Sequence, residues 1–63
     1  MIAYRNREYL IKAAGGLTTL PAQPATALLR QNHIQKVYQR GVFVGYVATR
    51  KGLKALGDEK NNG

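Results

Sequence analysis

A chain of 63 residues is long enough for one domain, and ten Lys/Arg against three Asp/Glu leave it at a formal +7. With no cysteine and a single histidine, His33, a disulfide framework and a thiolate metal site are both excluded. Only Glu8, Asp58 and Glu59 remain as carboxylates for any other metal, so neither metal nor cofactor is expected. No apolar run approaches the roughly 20 residues that span a bilayer, and residues 2–9 are too polar for a signal-peptide core, which points to a cytoplasmic protein without membrane contact.

A domain of this size buries only about 60% of the surface its unfolded chain exposes, so its stability is marginal and a homodimer contact or a bound partner would help it. The charge excess implies self-repulsion that an anionic partner would relieve.

Residues 1–4 read as a short edge strand or as the lead-in to a helix. Asn6 is placed as an N-cap, with Glu8 in the first turn, and residues 7–14 follow as a helix with Tyr9, Leu10, Ala13 and Ala14 on one face. Gly15-Gly16 ends it, and residues 17–23 form a connection. Pro24, with φ near the helical value and no N–H, suits the first position of a second helix running to about Asn32. That helix has Ala25, Leu28 and Leu29 on its apolar side, and Asn32 can close it in the left-handed conformation.

From His33 the periodicity changes. Residues 34–40 and 42–48 are rich in β-branched and aromatic side chains and flank Arg40-Gly41, the strongest hairpin signal in the chain. Alternation puts Ile34, Lys36 and Tyr38 on one face of the first strand. It puts Val42, Val44, Tyr46 and Ala48 on one face of the second, with Phe43 pointing the other way. Thr49 is placed to cap a last helix in which Leu53 and Leu56 share a side and Gly57 marks the end. The expected domain covers residues 1–57, followed by a polar, disordered tail over residues 58–63. The expected core is Leu10, Ala14, Leu17, Leu28, Leu29, Ile34, Val44, Tyr46, Leu53 and Leu56.

The order is therefore helix, helix, strand, strand, helix, an α+β arrangement. Over residues 24–56 it resembles the winged-helix (winged helix-turn-helix) regulators of bacteria and phages. In those proteins an apolar residue enters the wing, here Ile34, and a hairpin runs into a closure of the Tyr-x-Leu-Thr-x-x-Gly type. The matching residues are Tyr46, Ala48, Thr49 and Gly52. Ala48 stands where a larger aliphatic residue is common. A full winged helix also has two helices before its recognition helix, whereas this chain offers one plus the connection near Thr19.

The resemblance implies a small winged-helix-like domain that binds double-stranded DNA, with the second helix in the major groove. Its polar residues Gln23, Thr26, Arg30 and Gln31, followed by Asn32, would meet base edges, where arginine suits guanine and glutamine or asparagine suits adenine. The wing residues Lys36, Gln39 and Arg40 would lie on the phosphate backbone or in the minor groove, and Arg5, Arg7 and Lys51 would add phosphate contacts. No Ser/His/Asp set, paired carboxylates or phosphate-cradling loop suggests an enzyme. The expected role is a transcription regulator or recombination accessory factor of phage or mobile-element type. Two alternatives stand beside it: a phage-type module that binds and inhibits a host protein, and an RNA- or single-strand-binding protein using the hairpin aromatics.

Overall fold

A computed structural model describes the backbone of residues 4–61 and the side chains of residues 5–57. Three helices and one antiparallel hairpin follow in the order α1 (Tyr4–Ala14), α2 (Ala22–Arg30), β1 (Ile34–Gln39), β2 (Val42–Ala48) and α3 (Arg50–Asn61). Residues 1–3, where an edge strand was one expectation, lie outside the described residues, as do Asn62 and Gly63.

Both early helices begin sooner than their cap signals suggest. Asn6 lies inside α1 rather than before it. α2 starts at Ala22 behind Pro21, so Pro24 is its third residue and not its first. An amide at that position would have no acceptor within the helix, so the missing N–H of Pro24 costs nothing there. At the other end Asn32 takes φ 60°. The His33 N–H donates to the Leu28 carbonyl at 2.9 Å and the Asn32 N–H to Leu29 at 3.0 Å. Those two bonds form a Schellman closure, which satisfies the last carbonyls of α2.

Leu10, Ala13, Ala25, Leu28 and Ile34 are buried together, with Tyr9, Leu20, Leu29, Tyr46, Ala48 and Leu56 packed around them. Three expected core residues are exposed instead: Ala14, Leu17 and Leu53. On α1 the buried alanine is Ala13, about 100° of helix rotation from Ala14. Leu17 follows Gly16, whose φ of 120° turns the chain off the helix line. On α3 it is Gly52 that is buried, and Leu56 follows it at the i, i+4 spacing, which rotates Leu53 outward.

Nor does Gly57 end α3. It takes no positive φ, and the helix runs on to Asn61 through most of the segment expected to be a disordered tail.

The hairpin turns on Arg40 (φ 53°) and Gly41 (φ 80°). Two positive φ values in a two-residue loop match the twist of the flanking strands. Its register runs Ile34↔Ala48, Gln35↔Val47, Lys36↔Tyr46 and Val37↔Gly45, then jumps to Tyr38↔Phe43 and Gln39↔Val42. Val44 is left without a partner, a bulge that reverses the alternation along β2. Phe43 therefore shares a face with Tyr46 and Tyr38, not the opposite one. Their rings meet edge to face, with centroids 5.1 Å apart for Phe43–Tyr46 and 5.8 Å for Tyr38–Phe43.

The connection after α1 is also more ordered than its sequence suggests. Thr18 exchanges backbone hydrogen bonds with Tyr46 at 2.7 and 3.0 Å, a one-residue third strand on the outer edge of β2. Gly45 permits this contact. At φ 152°, a Cβ there would stand 2.6 Å from the Thr18 carbonyl oxygen.

Candidate nucleic-acid interface

Gln23, Thr26 and Arg30 fall at i, i+3 and i+7 of α2, so they form one exposed stripe. With Ala22 and Ala27 they line a shallow, open groove along the outer side of the helix. The Thr26 hydroxyl donates back to the Ala22 carbonyl at 2.9 Å. Its proton is thus committed within the helix, and Thr26 contributes bulk more than a free donor. The small side chains allow a surface to approach the helix backbone closely, with Gln23 and Arg30 as its reaching arms.

The end of this stripe is tied directly to the start of α3. The Thr49 N–H donates to the His33 carbonyl at 2.9 Å, and the Thr49 hydroxyl donates to the Asn32 carbonyl. The same hydroxyl oxygen accepts from the Gly52 N–H at 3.1 Å, which caps α3. A Cβ on Gly52 would collide with the His33 carbonyl oxygen, so the two segments touch backbone to backbone. The end of α2 and the start of α3 thus meet, and Arg30, Gln31 and Asn32 on the one and Arg50 and Lys51 on the other are all exposed. Neither helix has an acidic residue in its first turn.

His33 sits at the centre of the junction and is buried, with Nδ1 shielded from solvent and lacking a hydrogen-bond partner. Burial, and then the charge of Lys51, lower its pKa from the ordinary 6.5. The imidazole is therefore a neutral wedge at neutral pH, not a further cation.

The hairpin is a second, separate cationic locus. Lys36 is exposed on the face of Tyr38, Phe43 and Tyr46, Arg40 is exposed at the turn, and Gln39 lies on the opposite face with Val42. Six residues of β1 put the turn about 20 Å from the α2–α3 junction. Arg5 is exposed on α1. Arg7 is half-buried, its Nε is shielded from solvent and its side chain is engaged within the fold, so it is poorly placed as the free phosphate contact expected of it. Lys12 lies over the Tyr9 ring, 5.7 Å from its centroid.

Glu8 is the one carboxylate side chain between residues 5 and 57. Among the described residues no carboxylate pairs with Arg30, Lys36, Arg40, Arg50, Lys51 or Lys54. Arg50 is the residue that sequence reasoning undervalued. Its signal was the capping role of Thr49, which fixes where the helix starts but not which element that start touches. Among the described residues no three His, Cys, Asp or Glu side chains gather into a metal-sized group, and no helix is long and apolar enough to cross a membrane.

Comparison with protein-family models, with curated proteins and with solved structures found no match to this chain.

Proposed function

We propose that this protein is a small, non-enzymatic, winged-helix-like DNA-binding protein of the regulator or recombination-accessory type. The observation that carries this reading is the α2–α3 junction, where backbone hydrogen bonds join the end of the helix carrying Arg30 to the start of the one carrying Arg50 and Lys51, all three exposed and, among the described residues, without carboxylate partners. Exposed cations carried on two helix ends that backbone hydrogen bonds join suit a polyanion whose charges are also closely spaced. The α2 stripe supplies what a groove-entering element needs: small residues along its length and Gln23, Arg30 and Gln31 to meet base edges.

Lys36 and Arg40 on the wing would then reach phosphates about 20 Å away, a distance covering about six along one strand. The backbone contacts position the protein, and the few polar side chains of α2 offer modest base preference.

The test is fluorescence anisotropy with a labelled random duplex over a range of salt. Five contacting cations, Arg30, Lys36, Arg40, Arg50 and Lys51, give an expected slope of log K against log salt of about −4.5. The pair Arg30→Glu and Arg50→Glu should flatten that slope by about 1.8 and weaken binding strongly. Binding that ignores salt, or that survives both reversals, overturns the proposal. Retention of a protein complex by the doubly reversed variant would instead favour a protein-interaction module.

A further inference from the structure

The aromatic ladder of the wing runs outward from the core and stops without a final partner. Tyr46 packs on the core, Phe43 is 40% exposed in the middle, and Tyr38, 56% exposed, is the last ring. The bulge at Val44 builds this arrangement, because a regular ladder would have turned Phe43 to the other face. Lys36 lies on the ladder's own face and Arg40 sits just beyond its end, with no carboxylate on the hairpin. A planar aromatic group added at Tyr38 would continue the ladder, and the flanking cations favour one that carries negative charge.

We propose that the inner face of the wing stacks on the unpaired bases of a DNA strand, with Tyr38 and Phe43 as the platform and Lys36 and Arg40 on the adjoining phosphates. This deepens the duplex-binding reading and rests on it for position. The junction would hold a double-stranded segment while the wing engages a neighbouring unpaired stretch. Paired bases show a protein only their edges, and a ring meets a base face only where pairing is broken. Every base has such a face, so the contact would be indifferent to sequence.

The experiment compares a fully paired duplex with one of equal length carrying a short internal unpaired stretch, so that both have the same ends. The wild-type protein should prefer the unpaired substrate. Tyr38→Ala and Phe43→Ala should each lower affinity for it about tenfold, from the usual worth of one base–aromatic stack. Affinity for the paired duplex and its salt slope should not change. Tyr38→Phe, which keeps the ring and loses the hydroxyl, should bind like wild type. Thermal melts by circular dichroism establish that the variants are folded at the assay temperature.

Equal affinity of the wild type for both substrates overturns the stacking proposal while leaving duplex binding intact. So does a parallel loss on both substrates in the alanine variants. Binding to the unpaired substrate with none to the paired duplex overturns the duplex reading and upholds the stack. A concentration-dependent dimer in sedimentation that Phe43→Ala dissolves would give the rings to a second copy and overturn the proposal.

Discussion

Replacing Gly52 by alanine should destabilise this protein, although alanine is the better helix former. Helix propensity alone favours the substitution by about 0.8–1 kcal/mol. The added Cβ, however, would collide with the His33 carbonyl oxygen, a backbone atom, and would reach the Leu10 Cδ1 at 3.0 Å. That carbonyl also accepts the Thr49 N–H at 2.9 Å, so it cannot retreat without opening the α2–α3 junction. Overpacking of this kind costs about 1–3 kcal/mol, and the strained hydrogen bond adds about 0.5–1.5 kcal/mol.

The net expectation is a loss of about 2 kcal/mol from a total stability of about 3–9 kcal/mol for a chain of this length. In a thermal melt followed by circular dichroism, Gly52→Ala should therefore unfold about 8–16 °C below wild type. The control is Gly57→Ala in the same helix. A Cβ at Gly57 meets nothing within 4 Å, so propensity acts alone and the melting temperature should rise. If Gly52→Ala melts at or above the wild-type temperature, the backbone contact is not what sets the position of α3, and the clustering of Arg30, Arg50 and Lys51 loses its basis.

Two more outcomes are expected. Because burial lowers the pKa of His33 in the folded state, the unfolded chain binds more protons between that lowered value and 6.5. Stability is then full above the ordinary pKa and falls as the pH drops through that window. Urea unfolding between neutral and mildly acidic pH should show this slope, and His33→Gln should flatten it; an unchanged slope refutes the assignment. At the turn, Arg40 holds φ 53°, a conformation that asparagine tolerates better. Arg40→Asn should raise stability by about 0.5–1 kcal/mol in urea unfolding while reducing the salt slope of duplex binding by about 0.9. Loss of stability would show that the arginine side chain packs rather than reaches out.

Much of the architecture is legible in local sequence because local forces set it. Gly15-Gly16, Asn32 and Arg40-Gly41 stop or reverse the chain by their backbone preferences, and the change from helical to alternating periodicity at His33 marks the hairpin. Thr49 caps α3 as its chemistry implies. The exposure of Gln23, Thr26, Arg30 and Gln31 likewise follows from polarity and helical spacing.

What the tertiary structure alone decided depends on contacts between residues distant in the chain. The Val44 bulge moves Phe43 onto the ring face, and Thr18, paired with Tyr46, leaves room beside Gly45 for backbone only. Gly52 stands out in the sequence as the glycine of the closure, but only the fold shows its use: its lack of a side chain lets α3 press against His33 and joins the helix start carrying Arg50 and Lys51 to the end of α2 that carries Arg30. Periodicity shows which side of an element is apolar. It carries no information on how closely two backbones approach, and on that approach the grouping of the cations depends.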